Sequence, residues 1–91
     1  MTTILIPEQL RKSVEGQTEL KMNVTSISDF ISKLSTQYPL VVGRLIDPTN
    51  NTFNKFINVY VNGEDIRFLE SVNTRIEDGD EISIVPSNAG G

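Results

Sequence analysis

The sequence predicts an α+β fold in which a mixed sheet of about five strands packs against one main helix. Three observations lead to this prediction. A single segment, residues 27–38, has the apolar spacing of an amphipathic helix, whereas several shorter segments have the composition or the two-residue alternation of β-strands. These segments follow the order β-β-α-β-β-β, which places strands both before and after the helix. Finally, the last strand carries little charge, which favours a central position in the sheet.

The N-terminal part of the chain has the pattern of a β-hairpin. Residues 2–6 are short, apolar and rich in β-branched side chains, and Pro7 closes this segment. A turn region containing Gly16 follows. Residues 19–24 then alternate between polar and apolar side chains, as expected of a strand with one buried face. The two strands, joined by a short polar link, are expected to pair.

An amphipathic helix of about three turns is the strongest local signal. Ser26, followed three residues later by Asp29, resembles a capping box in which Asp replaces the usual Glu. Pro39 is expected to end the helix, because the residue before a proline is disfavoured in the α region. The apolar face consists of Ile27, Phe30, Ile31, Leu34 and Tyr38. This face is expected to pack on the sheet as core.

The middle of the chain changes from an irregular pattern to a regular one. Residues 40–55 indicate either a partly buried extension or a short helix, and the turn formers at 47–52 indicate a mobile turn. Residues 56–61 then alternate cleanly. The Asn62-Gly63 dipeptide predicts a hairpin, because a type I′ turn requires positive φ at both central residues. The returning strand is expected at residues 65–68.

The C-terminal part of the chain combines a turn, a strand and a short tail. Asp78-Gly79-Asp80 has the composition of a turn, and residues 81–85 have the pattern of a strand that Pro86 ends. We therefore expect one β-sheet domain over residues 1–86 and a flexible Gly-Gly tail over residues 87–91. The acidic residues around the turn either form a solvated loop or bind a cation or a basic partner surface; they are Glu77, Asp78, Asp80 and Glu81.

The residue inventory excludes most conventional catalytic sites. The 91-residue chain contains neither cysteine nor histidine, so disulfides, thiol nucleophiles, imidazole bases and the usual zinc ligands are excluded. The net charge of −4 argues against binding to nucleic acid, whose phosphates would repel the chain. Neither a signal peptide nor a membrane-length apolar run is evident, so we expect a cytoplasmic protein that is monomeric on its own. Any chemistry is expected to depend on a group that the chain lends to a partner's active site.

Three stretches of the sequence are specific when they occur together. They are Ser26-Ile27 with Phe30-Ile31 and Leu34, then Val59-Tyr60-Val61-Asn62-Gly63-Glu64-Asp65, and finally Asp78-Gly79-Asp80-Glu81-Ile82 with Pro86 and the terminal Gly90-Gly91. With this combination the whole chain resembles the ubiquitin-like β-grasp sulfur carriers of the MoaD/ThiS family. Within that family it is most similar to the CysO-type carriers of cysteine biosynthesis. This second likeness rests on two segments, which are Arg44-Leu45-Ile46-Asp47-Pro48 and residues 56–68.

The resemblance implies a β-grasp fold and a carrier that is the substrate of other enzymes rather than an enzyme itself. Gly91 would be the working residue. An E1-like adenylating enzyme of the MoeB/ThiF type would use ATP and magnesium to adenylate the Gly91 carboxylate, and a sulfur donor would then displace AMP to leave a thiocarboxylate. Gly90 and Gly91 suit this role, because residues without a Cβ can thread a narrow channel.

The CysO-type likeness implies two further partners. One is a cysteine synthase-like enzyme that uses pyridoxal phosphate (PLP), and the other is a zinc-dependent JAMM-type peptidase. Both cofactors would belong to these partners, and the carrier would hold none of its own.

Other functions are compatible with the sequence. The chain could carry sulfur for molybdopterin, thiamine or siderophore biosynthesis, or it could be a ubiquitin-like modifier that joins Gly91 to lysines of target proteins. A β-grasp binding module with an inert tail is the remaining alternative. Phe56 and Tyr60 should point away from Ile57 and Val59, so one of them either lies on an exposed face of the sheet or is covered by residues 40–55.

Overall fold

The computed structural model describes residues 1–47, 49 and 52–87 of the chain. A five-stranded sheet is formed by β1 (Thr2–Leu5), β2 (Glu19–Met22), β5 (Ile57–Val61), β6 (Glu64–Asp65) and β7 (Glu81–Pro86). Helices α1 (Ile27–Gln37) and α2 (Pro39–Leu45) follow β2. A separate two-stranded ribbon, formed by β3 (Ile46–Asp47) and β4 (Thr52–Phe53), precedes β5.

The last strand, β7, lies at the centre of the sheet, whose order is β2-β1-β7-β5-β6. It runs parallel to β1, with Ile4 opposite Ile82, and antiparallel to β5, with Val59 opposite Ile84. Ile82 and Ile84 are both buried, as expected for a strand with a neighbour on each side. The mixed sheet and the central final strand confirm the predicted α+β, β-grasp fold.

Strands β1 and β2 pair antiparallel, which confirms the predicted N-terminal hairpin. The connection between them is more than a polar link, however. It contains a 3₁₀ helix over Glu8–Val14, and Leu10 and Val14 of this helix are buried. These two apolar side chains lie four residues apart and belong to the buried core cluster.

Helix α1 begins as predicted but with a different pattern of capping bonds. Ser26 Oγ accepts the Asp29 N–H at 3.0 Å, and Asp29 Oδ2 accepts the N–H of Thr25 at 2.9 Å rather than that of Ser26. This bond, together with Lys33, holds the pKa of Asp29 below its ordinary value. Pro39 ends α1 and at the same time occupies the first turn of α2, where its missing N–H costs nothing.

The predicted hairpin turn is present, but the predicted returning strand at 65–68 is wrong. Asn62 and Gly63 have φ of 52° and 85°, as a type I′ turn requires. Strand β6 nevertheless ends at Asp65, because the Asp65 carboxylate accepts the Arg67 N–H at 2.8 Å and starts a 3₁₀ turn over Ile66–Phe68. Phe68 is consequently 82% exposed instead of facing the core.

The segment between α1 and β5 is more ordered than its pattern suggests. Helix α2 confirms the short-helix alternative, with Val41 and Leu45 buried. The β3–β4 ribbon pairs Ile46 with Phe53, and the sequence reasoning did not predict it. Three residues of the predicted mobile turn, Pro48, Asn50 and Asn51, lie outside the described residues, so the mobility of that turn stays a prediction.

The core lies between the inner face of the sheet and the two helices. Phe30 and Ile27 are fully buried, and Leu34 is nearly so, as the predicted apolar face of α1 requires, whereas Ile31 and Tyr38 are partly buried at its margin. Eighteen apolar side chains form one buried cluster among the described residues. Within the described part of the chain, neither helix has the length and apolar character needed to cross a membrane.

Candidate functional site

The C-terminal exit of the chain is the first part of the candidate site. Pro86, the last residue of β7, lies opposite Ile57, and the N–H of Ser87 donates to the Phe56 carbonyl at 2.6 Å. These contacts fix the position of Ser87, after which the chain continues to its terminal Gly-Gly. The predicted site residues Gly90 and Gly91 lie outside the described residues. Their role, and the division into a domain over 1–86 and a tail over 87–91, stay predictions.

Partly exposed apolar side chains lie near this exit. Phe56 and Val85 are each 43% exposed, and Tyr60 is half-buried. Phe56 is therefore exposed, but it lies in the turn before β5 rather than on the predicted face of the sheet. Lys55 places its Nζ atom 5.1 Å from the centre of the Phe56 ring, within range of a cation–π interaction.

A cavity of about 200 Å³ lies beside β5, close to the same exit. It exists because β6 pairs only with Tyr60 and Val61, so the first part of β5 has no β6 neighbour. Sequence reasoning missed this cavity. Its lining includes Phe53, Lys55, Ile57, Val59, Ile66 and Arg67.

An ion pair between a buried carboxylate and an exposed guanidinium group forms one wall of the cavity. Asp65 is 8% exposed, and Arg67 donates to its carboxylate from Nη2 at 2.6 Å and from Nε at 3.2 Å to each oxygen. The hydrogen bonds from Arg67 hold the pKa of Asp65 below its ordinary value, and the Asp65 carboxylate raises the pKa of Arg67. The Asp-x-Arg spacing after a hairpin is the sequence signal that could have indicated this cap.

The acidic turn forms part of the fold rather than part of the exit site. Asp80 accepts hydrogen bonds from Asn62 Nδ2 at 3.0 Å and from the Glu77 N–H at 2.8 Å, and Gly79 has φ of 90°. The N-terminal ammonium group pairs with Asp78 and lowers the pKa of that carboxyl group. Among the described residues, no group of three acidic side chains is placed to hold a metal ion.

The acidic turn and the C-terminal exit lie at opposite ends of one strand. Glu81 begins β7 and Pro86 ends it, so the two features are separated by about 17 Å at the usual rise per residue. A partner surface that receives the tail therefore meets the exit before it meets the acidic turn.

Comparison with known proteins assigns this arrangement to a family. The ThiS family matches residues 4–91, which is nearly the whole chain and includes both terminal glycines. The chain belongs to the ThiS family. Proteins of this family are small carriers rather than enzymes, as the sequence resemblance implied.

Two ThiS-family relatives in sequence cover nearly the whole chain. The sulfur carrier protein CysO of Mycobacterium tuberculosis (strain H37Rv) is 38% identical over 90 residues, covering 98% of this chain and 97% of that protein. Small archaeal modifier protein 3 of Haloferax volcanii is 30% identical over 83 residues, covering 88% of each chain.

Solved structures confirm the ubiquitin-like β-grasp fold of this ThiS-family chain. The crystal structure of the Amycolatopsis orientalis BexX/CysO complex contains a chain that matches with a TM-score of 0.90, 31% identity and complete coverage of both chains. The crystal structure of M. tuberculosis CysO matches with a TM-score of 0.89 and 35% identity, covering 96% of this chain and 99% of that one. The chain is therefore a CysO-like member of the family.

Proposed function

We propose that this protein is a sulfur carrier whose Gly91 carboxylate is adenylated by an E1-like enzyme of the MoeB/ThiF type and then converted to a thiocarboxylate. The observation that supports this most strongly is the extent of the family match. It runs through Gly91, and the likeness to CysO covers nearly the full length of both chains. A likeness confined to the core of the fold would support the β-grasp architecture alone.

The chemistry follows from the properties of a free α-carboxylate. Such a group has a pKa of about 3.5, so it is ionised at neutral pH and can attack the α-phosphorus of ATP, releasing pyrophosphate. The resulting acyl adenylate is an electrophile, unlike the carboxylate. A sulfur donor then attacks the Gly91 carbonyl carbon and forms a carbon–sulfur bond. The bond between that carbon and the oxygen of AMP breaks, and AMP leaves. The enzyme supplies ATP and magnesium, and the carrier supplies the carboxylate and a surface that the enzyme recognises.

The β-grasp domain contributes to this reaction by presenting the terminus. β7 is held on both sides by β1 and β5, and the Ser87 N–H is hydrogen-bonded to the Phe56 carbonyl, so the tail follows the central strand of the sheet. Phe56 and Val85, both partly exposed at the exit, offer apolar area to an enzyme that receives the tail.

We propose cysteine biosynthesis as the pathway, on the basis of the likeness to CysO. In that pathway the thiocarboxylate sulfur would add to an aminoacrylate held by a cysteine synthase-like PLP enzyme, and the Gly91 carbonyl of the resulting thioester would then move from sulfur to the cysteine nitrogen to form an amide. A zinc-dependent JAMM-type peptidase would hydrolyse this amide, releasing cysteine and regenerating the Gly91 carboxylate. PLP and zinc belong to those partners in this proposal, and the carrier acts as a cytoplasmic monomer. Alternatively, the same thiocarboxylate would supply sulfur to the biosynthesis of molybdopterin, thiamine or a siderophore.

A second function is favoured by one specific observation. Small archaeal modifier protein 3, whose name describes a modifier, is 30% identical over most of both chains. A modifier would use the same activated Gly91 but transfer the acyl group to a lysine amine, forming an isopeptide bond and releasing the activating group. Carrier and modifier therefore share the first step and differ in the nucleophile that follows it.

The function is tested by reconstituting the first step and then following the product. The protein is incubated with the MoeB/ThiF-type enzyme of its own organism, ATP and magnesium, and ATP–pyrophosphate exchange is measured with and without Gly91. Exchange that requires Gly91 supports adenylation. Release of free cysteine that requires Gly91, after adding a sulfide source, the PLP enzyme with its activated serine substrate and the peptidase, supports the cysteine pathway. Conjugates of higher mass that are absent when Gly91 is deleted would instead favour the modifier. Absence of exchange would refute both the carrier and the modifier function.

A further inference from the structure

The cavity beside β5 has a positive rim although the chain as a whole carries a charge of −4. Asp65 is the only carboxylate among the described lining residues, and Arg67 already neutralises it. The Arg67 side chain nevertheless remains 67% exposed, and its hydrogen bonds to described residues use only Nε and Nη2. Nη1 is therefore left for an acceptor from another molecule.

Lys55 provides the net positive charge of the rim, because Asp65 balances the charge of Arg67. Its side chain is exposed, and its contact among the described residues is the ring of Phe56 rather than a carboxylate. A cation–π contact at an exposed site is weak. A carboxylate from a partner could therefore pair with Lys55 and Arg67 without breaking an existing salt bridge of Lys55.

The cavity lining combines polar side chains with an apolar part, which favours a peptide over a small anion as its occupant. Ile66 is 4% exposed, and Ile57 and Phe53 are partly buried against the core. A free inorganic anion would neutralise the rim but leave this apolar floor in contact with water. A peptide that presents a carboxylate next to an apolar side chain satisfies both parts of the site.

The position of the cavity identifies the partner. Phe56 lies between the lining residues Lys55 and Ile57, and its carbonyl accepts the Ser87 N–H. The four residues from 88 to 91 can span at most about 14 Å even when fully extended. An enzyme that acts on Gly91 must therefore cover or closely approach this edge of the sheet.

We propose that the cavity docks a peptide segment of the enzyme that activates Gly91, a segment in which an acidic side chain lies next to an apolar one. The carboxylate pairs with Arg67 and Lys55, and the apolar side chain packs against Ile57 and Ile66. This inference rests on the proposed function, because it identifies the enzyme by its action on Gly91.

Steady-state kinetics of adenylation test the proposal with a matched pair of charge reversals. The wild-type carrier, Lys55→Glu and Lys12→Glu are compared as substrates of the MoeB/ThiF-type enzyme of the same organism. Lys12 is also exposed, but it lies in the 3₁₀ helix that joins β1 and β2, at the other side of the sheet. We expect Lys55→Glu to raise KM about tenfold with kcat unchanged, because the lost contact contributes to binding alone. Lys12→Glu is expected to leave both constants within about twofold, and the effect at Lys55 should shrink as salt increases.

The location is tested independently by NMR of the ¹⁵N-labelled carrier. We expect the amide signals of Val59, Ile66 and Arg67 to shift or broaden on adding the enzyme, and to respond far less to millimolar inorganic phosphate. Signals that respond to phosphate and not to the enzyme would overturn the proposal in favour of a small-anion site. Normal adenylation with equal KM values for the two variants would also overturn it while leaving the proposed function intact. A wild-type carrier that is not adenylated at all would overturn the proposed function itself.

Discussion

The N–H of Ser87 donates a hydrogen bond to the carbonyl of Phe56, with 2.6 Å between the two atoms. This bond joins the end of the central strand β7 to the start of β5, one residue after Pro86 lies opposite Ile57. The sheet itself therefore sets the position of Ser87, which precedes the C-terminal residues. An enzyme that receives the terminus consequently meets Phe56 and the edge of β5 as well.

The type I′ turn at Asn62-Gly63 predicts a penalty for any Cβ at position 63. Gly63 has φ of 85°, and a Cβ added there would meet no atom within 4 Å, so the penalty is conformational rather than steric crowding. We expect Gly63→Ala to lower the free energy of unfolding by about 1–2 kcal/mol in urea titrations. Gly43→Ala is the control, because Gly43 lies in α2 without positive φ and with open space around it. It should raise the stability by about 0.5–1 kcal/mol. Equal effects at the two positions would refute the turn assignment.

The N-cap of α1 predicts that removing the hydroxyl of Ser26 destabilises the fold more than removing that of another serine in the helix region. Ser26 Oγ accepts the Asp29 N–H at 3.0 Å, so Ser26→Ala should lower the free energy of unfolding by about 1 kcal/mol. Ser35→Ala, on the exposed side of the same helix, should be neutral or slightly stabilising, because alanine has the higher helix propensity. The two variants are compared by chemical denaturation. A loss at Ser35 as large as the loss at Ser26 would contradict the capping role.

The Asp65–Arg67 pair predicts a pH-dependent contribution to stability. The pKa of Asp65 is lower in the folded state than the value of about 3.9 expected in the unfolded chain, so the unfolded state binds the proton more readily. The stabilisation is therefore complete above about pH 4 and is lost as pH falls through the folded pKa. We expect Asp65→Asn to lower Tm at pH 7 and the difference from the wild type to narrow below pH 4.

The adjacent carboxylate provides the control for this pH dependence. Glu64 is exposed, and Glu64→Gln should change the stability by less than about 0.5 kcal/mol at either pH. A constant difference between Asp65→Asn and the wild type from pH 7 to pH 2 would show that the ion pair does not carry the effect.

The corrected end of β6 predicts that Phe68 is dispensable for folding. Phe68 is 82% exposed, so Phe68→Ala should change the free energy of unfolding by no more than about 0.5 kcal/mol. Phe30→Ala, at a fully buried position in α1, should cost about 3–5 kcal/mol. Denaturation of both variants gives the comparison. A large loss of stability in Phe68→Ala would contradict the exposed position of Phe68 and would favour the strand at 65–68 that the sequence predicted.

The elements predicted correctly are those whose signals are local. The cap at Ser26, the stop at Pro39 and the turn at Asn62-Gly63 each depend on residues within a few positions of one another, and all three are present. The central position of β7 followed from the low charge around Ile82 and Ile84, which is also a local property.

Of two features that the sequence reasoning missed, the end of β6 depends on a local bond and the cavity depends on longer-range contacts. The alternation at 65–68 predicted a strand, but the Asp65 carboxylate capped a 3₁₀ turn and left Phe68 in solvent. The cavity beside β5 requires β6 to be short while the β3–β4 ribbon lies nearby, and no local pattern encodes that combination. The family resemblance supplied Gly91 as the candidate site, whereas the docking surface around Lys55 and Arg67 emerged only from the folded arrangement.

The mass of the C-terminal fragment tests the role of Gly91 most directly. The carrier is incubated with its E1-like enzyme, ATP, magnesium and a sulfide source, then digested, and the fragment that ends in Gly91 is analysed by mass spectrometry. We predict that one oxygen of the terminal carboxylate is replaced by one sulfur, and that a variant lacking Gly91 retains its Tm but shows no exchange. An unchanged terminal fragment after demonstrated adenylation, or sulfur found elsewhere in the chain, would contradict the proposal that Gly91 carries the sulfur.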